Sequence, residues 1–310
     1  MNTNTMDVKT FVKKYTMIIA LVVVFIFFTF LTEGKLIKAQ NISNLLLQNA
    51  YVLVMACGML LCILTGGNVD LSVGSTLCLS AALAAKSLES GMNPFLAILI
   101  PMAVSVVIGI WQGWLIGYIH IPPFICTLAG MFLFRGFARV VLDSKTISVM
   151  NDGFLKLFKS YITISAIDKK HQNVSAIIVG VIVAAIIIVA KVLDIAKKKK
   201  KGYDTSNSTS ELIKSIIIGV VVIVYSTKLC EYKGIPVMLI WIIAVVLIFY
   251  FVTSSTVFGR YFYAVGGNEK ATKLSGIDPR KVYFWAYFWM SVLAGFSGLQ
   301  IGRASCRERV

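Results

Sequence analysis

Long apolar stretches separated by short polar segments run through most of this 310-residue chain. A helix that crosses the hydrocarbon core of a bilayer needs about 20 mostly apolar residues, and fewer where neighbouring helices or bilayer thinning help. We therefore predict an all-α polytopic membrane protein with about nine transmembrane helices. The predicted spans are 15–32, 44–65, 76–88, 95–119, 124–142, 174–193, 212–229, 236–252 and 282–301. The weakest is 76–88, whose loss would invert the orientation of everything before it.

Composition excludes an ordinary soluble domain. Hydrophobic residues make up 58% and charged residues 14% of the chain, whereas soluble domains carry about 25% charged residues. The first apolar run resembles a signal peptide, because Lys9, Lys13 and Lys14 precede it. The residues after it, Thr32–Lys35, form a poor cleavage site, so we predict an uncleaved first span.

The net charge of +16 lies between the apolar spans rather than on one folded face. This favours loops that fix membrane orientation over a nucleic-acid surface. Five consecutive lysines, Lys197–Lys201, lie in a predicted cytoplasmic linker, 194–211, and we expect them to meet membrane lipid at about 1 kcal/mol each. The outer loop 143–173 also carries five lysines, with three aspartates, so the asymmetry is incomplete. With the N-terminus in the cytoplasm, the inner loops are 1–14, 66–75, 120–123, 194–211 and 253–281.

The most informative polar segment is Phe258–Lys281, FGRYFYAVGGNEKATKLSGIDPRK, within the inner loop 253–281. Five basic residues against two acids mark it as a cytoplasmic loop. The glycines of AVGGN predict a turn, and the apolar residues of ATKLSGI recur at helical spacing. We therefore predict a turn followed by a short surface helix that is offered to a partner.

A second informative segment, which we call the helix break, is Thr65–Ser75, TGGNVDLSVGS. A charge at membrane depth is costly, so Asp70 requires an explanation. One interpretation is structural: the glycines end one helix, and Asn68, Asp70 or Ser72 caps the next. The other is that the helix break lines a transport pathway, because irregular backbone within a membrane is tolerated chiefly around cavities or protein interior. The residues alone leave both interpretations open.

Candidate chemistry is otherwise sparse. Arg135 and Arg139 lie one helical turn apart; snorkelling or pairing with Asp143 is the simpler interpretation, and a pathway role is the alternative. The sequence contains no G-x-x-x-x-G-K-[ST] phosphate loop, and neither His120 nor His171 has another ligand at metal spacing. We therefore expect no enzyme activity, no metal site and no cofactor in this chain.

Three ordered motifs resemble the permease subunits of bacterial ABC importers for monosaccharides of the ribose, xylose and galactose kind. They are LTGGNVDLSVGS, IPPFICTLAGMFLFRG and GRYFYAVGGNEKATKLSGI. The lysine-rich insert before KGIPVMLIWIIAVVLIFYFVTSSTVFGR resembles the xylose/multiple-monosaccharide subgroup. The resemblance implies a transmembrane permease domain over 1–301 in a bacterial cytoplasmic membrane, with about ten helices in the intact protein.

The resemblance also implies partners and site residues. The partners are a second permease copy, an extracytoplasmic sugar-binding protein, and ABC ATP-binding subunits that hold ATP and Mg. The segment Ala264–Ile277, which we call the coupling segment, would dock on the ATP-binding subunit and drive alternating access. Its candidate contact residues are Ala264, Val265, Gly266, Gly267, Asn268, Glu269, Lys270, Leu274, Ser275 and Gly276. The family's pathway motif maps onto Gly66, Gly67, Asp70, Leu71 and Ser72, and the residue pattern itself adds Asn68, Gly74, Arg135 and Arg139 as candidate pathway residues.

Two other classes are less consistent with the sequence. A secondary transporter driven by an ion gradient would use carboxylates within the membrane, and Asp70 alone lies near membrane depth. A scaffold or receptor would not need TGGNVDLSVGS at a helix break. The abrupt change to GRASCRERV after Ile301 predicts a truncated chain with a foreign tail over 302–310.

Overall fold

The computed structural model describes residues 8–143, 145–148, 151–162, 173–200, 208–300 and 303–305. Helices dominate the described chain. They are α1 Val8–Leu31, α2 Ala39–Leu64, α3 Val73–Glu89, α4 Pro94–Gly117, α5 Pro123–Val141, α6 Asp152–Lys159, α7 Val174–Lys200, α8 Ser208–Cys230, α9 Val237–Ser255, α10 Val257–Gly267, α11 Glu269–Leu274 and α12 Pro279–Gln300, with a 3₁₀ turn at Lys35–Ile37. The short strands are β1 Thr146–Ser148, β2 Tyr161–Ile162, β3 Ile235–Pro236 and β4 Arg303–Ser305.

Within the described residues, seven helices are long and apolar enough to cross a membrane: α2, α4, α5, α7, α8, α9 and α12. They correspond to seven of the predicted spans, which confirms the all-α polytopic fold. The other two predicted spans are helices as well. The apolar part of α1 covers Thr16–Leu31, and α3 has 17 residues. These helices expose many large apolar side chains, as expected where lipid rather than water surrounds them.

The chain divides into two compact units, and the first comprises residues 1–45 and 163–235. Its main feature is the pairing of α7 with α8, where Gly180 lies against Ser226 and Gly219 lies against Ile188. Lys191 of α7 forms an ion pair with Glu211 of α8. Because α7 continues to Lys200, four of the five consecutive lysines end a helix, where cations are favourable. The connection between the helices is thus shorter than the predicted linker 194–211, and residues 201–207 lie outside the described residues.

The second unit comprises residues 46–162 and 236–310, and α12 lies at its centre. The apolar stretch of α12 is 61% buried, against 28% for α4 and α5. Glycines of α4 permit this burial: a Cβ at Gly113 would lie 2.7 Å from the carbonyl oxygen of Phe284 on α12. Gly109 and Gly117, one helical turn to either side, also meet α12 backbone. Small residues at this spacing let two membrane helices approach at backbone distance.

Short strands lie beside this core. Thr146–Ser148 pairs antiparallel with Arg303–Ser305, with Ile147 opposite Ala304. Arg303–Ser305 is the described part of the predicted foreign tail 302–310, and the rest of that tail lies outside the described residues.

Candidate functional site: the helix break and the coupling segment

The helix break begins where α2 ends. Gly66 and Gly67 have φ values of 106° and 80°, a region that L side chains rarely adopt. The amide of Gly67 donates to the carbonyl of Ile63 over 2.8 Å, and the Asn68 side-chain amide donates to the Thr65 carbonyl over 3.0 Å. These bonds satisfy carbonyls that the end of α2 leaves without helical partners. The prediction that the glycine pair ends a helix is thus confirmed.

Asp70 is buried, with 2% of its surface exposed. Its Oδ1 accepts hydrogen bonds from the Ser72 amide over 2.8 Å and from the Ser72 hydroxyl over 2.7 Å. The bonded amide immediately precedes α3, so the carboxylate satisfies a donor at the start of that helix, where negative charge is favourable. Among the three capping candidates predicted from the sequence, Ser72 occupies the N-cap position of α3 without a side-chain capping bond, and Asp70 instead holds Ser72 in place. Leu71 is partly buried, and Gly74 lies exposed in the first turn of α3.

A buried side-chain network extends from Asp70 into two neighbouring helices. Gln112, near the C-terminal end of α4 and fully buried, donates to the Ser72 hydroxyl over 2.9 Å. Its carbonyl oxygen accepts from the Ser291 hydroxyl of α12 over 3.3 Å. Gly130 of α5 packs against this amide, since a Cβ there would lie 2.6 Å from Gln112 Nε2. The helix break is therefore joined to α4 and α12 by hydrogen bonds shielded from lipid.

Gln112 was not among the residues predicted from the sequence. The signal that could have found it is a lone amide within an apolar 24-residue helix, because such a group needs a partner inside the protein. Three further buried hydroxyls, those of Ser75, Thr76 and Tyr287, form no hydrogen bond within the described part of the chain. Buried polar groups are usually bonded to protein or to ordered water.

The coupling segment differs in one respect from the prediction. Residues 264–267 do not form the predicted turn between helices. They are the last helical residues of α10, which ends at Gly267 with Asn268 as its C-cap. Phe262 and Val265 are buried, so packing of this face overrides the low helix propensity of the glycine pair. The short surface helix was predicted, and it corresponds to α11. Its first residue is Glu269, and Asn268 caps it by accepting from the Ala271 amide over 3.0 Å.

Two residues that sequence reasoning missed hold α11 in place. The hydroxyl of Thr272, which is 6% exposed, lies 2.8 Å from the Ala264 carbonyl and 2.7 Å from the Asn268 carbonyl. The Tyr283 hydroxyl of α12 donates to Glu269 Oε2 over 3.0 Å. Both contacts join residues in different helices, and the sequence pattern carries no sign of them.

The outer face of α11 is open. Leu274 is 90% exposed, and Lys270 and Ser275 are exposed beside it. Gly276, with a φ of 85°, ends the helix and turns the chain toward α12. There the Arg280 guanidinium donates two hydrogen bonds to Asp278, which hold the pKa of that carboxyl below its usual value.

The helix break and the coupling segment meet. Gly266, in the last turn of α10, lies directly against the Leu64 carbonyl at the end of α2. A cavity of about 310 Å³ lies beside this contact. Its lining includes Asn68 from the helix break, Glu269 from α11, Arg280 and Tyr283 from α12, and His120 from the loop before α5. His120 is exposed, and His171 lies outside the described residues.

The two arginines of α5 lie outside this cluster. Arg135 is partly buried and Arg139 is exposed on the same helix. Asp143, their predicted partner, forms an ion pair with Lys86 of α3, in which Asp143 Oδ2 lies 3.6 Å from Lys86 Nζ. A pathway role for the two arginines therefore stays a prediction.

Comparison with known proteins adds an independent finding. The family described as branched-chain amino acid transport system / permease component matches residues 41–303. The xylose transport system permease protein XylH of Haemophilus influenzae is 31% identical over 290 residues, which cover 92% of this chain and 74% of that protein. The ribose import permease protein RbsC of Bacillus subtilis is 29% identical over 264 residues, 84% of this chain and 60% of its own. The fructose import permease protein FruG of Bifidobacterium longum is 36% identical over 178 residues, 55% of this chain and 50% of its own. No solved structure matches the chain.

Proposed function

Because this chain belongs to the family described as branched-chain amino acid transport system / permease component, we propose that it is the transmembrane subunit of an ATP-driven ABC importer. It would move a monosaccharide into the cytoplasm of a bacterial cell. The observation that carries this proposal is the similarity to a xylose permease over 92% of the chain. The seven apolar helices provide the membrane-spanning body that such a subunit needs.

The energy would come from partner subunits that bind ATP and Mg, docked on the coupling segment. The exposed Leu274 supports this assignment, because an apolar side chain that is 90% exposed at the tip of a short helix suits a partner's pocket. It lies between the basic Lys270 and Lys273 and the exposed Ser275, a polar rim around an apolar centre. Glu269 and the residues Ala264–Asn268 would support this contact from behind.

The transport pathway would run beside the helix break. Support comes from the buried Asp70 and from the hydroxyls of Ser75, Thr76 and Tyr287, which are buried without a protein partner in the described chain. Hydroxyl groups of this kind suit water or a sugar, both of which donate and accept hydrogen bonds. Alternating access would then move helices around this region while a second permease copy completes the pathway. An extracytoplasmic binding protein would deliver the sugar.

The substrate is a pentose or hexose of the xylose, ribose or galactose type, since the relatives named above are permeases for xylose, ribose and fructose. A branched-chain amino acid is the second candidate, because the family's description names that substrate class. The two classes are chemically distinct, so competition for uptake separates them.

The experiment that tests the proposal uses the full-length protein, reconstituted in proteoliposomes with its ATP-binding subunit and its binding protein. We expect uptake of radiolabelled sugar that requires ATP and is competed by unlabelled xylose, ribose or galactose but not by leucine. Uptake competed by leucine alone would replace the sugar assignment. Uptake that proceeds without ATP and follows an imposed proton or sodium gradient would establish a secondary transporter instead.

A further inference from the structure

We infer that the coupling segment acts directly on the helix break, through a backbone contact that requires glycine at position 266. The inference rests on the proposed function and specifies how a push from the ATP-binding subunit reaches the pathway. Gly266 is then a positioning residue, which contacts neither nucleotide nor sugar.

The first observation is the contact itself. A Cβ at Gly266 would overlap the carbonyl oxygen of Leu64 and would lie 3.3 Å from the amide nitrogen of Gly66. Leu64 is the last residue of α2, and Gly66 is the first left-handed residue of the helix break. The overlap with the Leu64 oxygen is far inside van der Waals contact, and the overlapping atom belongs to the backbone, so no side chain fits at position 266 without a backbone shift. The last turn of α10 therefore rests on the backbone at the point where α2 ends.

The second observation concerns the other glycines of the coupling segment. Added Cβ atoms at Gly267 and Gly276 would meet no atom within 4 Å. Close approach is thus specific to position 266 within this segment, and it is not a general consequence of glycine-rich sequence. The cavity of about 310 Å³ is an independent sign of the same proximity, because Asn68 and Glu269 line it together.

The third observation is that the parts on either side of the contact are tied to their neighbours. On one side, the Thr272 hydroxyl lies 2.8 Å from the Ala264 carbonyl, so displacement of α11 moves the end of α10. On the other side, the Ser72 hydroxyl lies 2.9 Å from Gln112 Nε2, so displacement of the helix break is felt in α4. Force applied to α11 therefore has a continuous route of contacts to the buried network around Asp70.

The test uses a reporter in the helix break of the reconstituted full complex. Val69 is 47% exposed and has no assigned role, so Val69→Cys provides a thiol whose labelling by a maleimide can be quantified by mass spectrometry of its own peptide. We expect that trapping the complex with ATP, Mg and vanadate changes the labelling rate at position 69. In Gly266→Ala, we expect this nucleotide-dependent change, and the ratio of sugar transported to ATP hydrolysed, to fall by about two- to thirtyfold while the ATP-binding subunit still co-purifies. The matched control is Gly136→Ala, in which the new methyl meets no atom within 4 Å.

A second variant covers the case in which Gly266→Ala does not assemble. Thr272→Val removes the hydroxyl that ties α11 to α10 and adds no bulk, so it should assemble and should also reduce the nucleotide-dependent change. Retention of the full change in an assembled Gly266→Ala complex overturns the inference, and so does retention in Thr272→Val where Gly266→Ala fails to assemble. Absence of ATP-driven sugar uptake by the unsubstituted complex would instead overturn the proposed function.

Discussion

At the scale of single residues, Asp70 shows how a buried charge can serve a structural purpose. Its carboxylate accepts from the Ser72 amide and hydroxyl, and an asparagine oxygen could accept the same two bonds. We predict that Asp70→Asn keeps the thermal unfolding midpoint in detergent close to that of the unsubstituted protein. Asp70→Ala should lower the free energy of unfolding by about 1–3 kcal/mol, because the buried Ser72 amide loses its acceptor. Equal losses in the two variants would show that the negative charge, rather than the acceptor, stabilises the break.

Gln112 gives a second residue-scale prediction. Gln112→Leu has similar volume but leaves the Ser291 hydroxyl without its acceptor and the Ser72 hydroxyl without a donor. Because a stranded buried polar group costs about 1–3 kcal/mol, we expect a lower thermal unfolding midpoint in detergent. Gln48→Leu is the control, since Gln48 is exposed on α2. A Gln112→Leu variant as stable as this control would show that the network contributes nothing to stability.

The sequence predicts the residues whose contacts are local and misses those whose partners lie far along the chain. Gly66, Gly67 and Asp70 can be predicted from the sequence, because helix termination and the bond between Asp70 and Ser72 involve only neighbouring residues. Gln112 and Thr272 bond to groups in other elements, and those partners are defined only after the helices pack. The contact of Gly266 with Leu64 is the least predictable from the sequence. About 200 residues separate the two positions, and no local sequence pattern indicates that they meet.

At the scale of elements, apolar length alone locates the spans, but the boundary between turn and helix depends on packing. The AVGGN stretch predicts a turn from its glycines, whereas the buried face of Phe262 and Val265 extends α10 through Gly267. The glycines of α4 illustrate the same point in reverse. Glycine lowers the stability of an isolated helix, but here it allows the backbone of α12 to pack directly against α4.

The short helix α11 carries the prediction that belongs to this scale. Leu274→Asp places a charge at the exposed apolar tip, and we expect it to weaken association with the ATP-binding subunit about 30-fold or more, as loss of an interface hot spot does. Co-purification from detergent and ATPase activity stimulated by the sugar-loaded binding protein would both fall. Leu274→Met is the conservative control and should retain both. Undiminished co-purification of Leu274→Asp would show that the partner docks elsewhere.

At the scale of the whole molecule, the proposal depends on which side of the membrane the coupling segment faces. Lysine and arginine favour cytoplasmic loops, and the segment Arg260–Lys281 is rich in them. An ATP-binding subunit can reach α11 only from the cytoplasm, where ATP is available. An ATP-driven mechanism through α11 therefore requires that the coupling segment face the cytoplasm.

This link gives a direct prediction for single-cysteine accessibility in cells. Lys270→Cys, in α11, should react with a membrane-impermeant maleimide in inside-out vesicles but not in intact cells. Met92→Cys should behave in the opposite way, because Met92 is 44% exposed in the turn between α3 and α4, at the other end of those helices from the helix break. The peptide carrying each new cysteine identifies it by mass, so the natural cysteines do not interfere. Labelling of position 270 in intact cells would place α11 outside the reach of ATP, and an importer driven through the coupling segment would then be physically impossible.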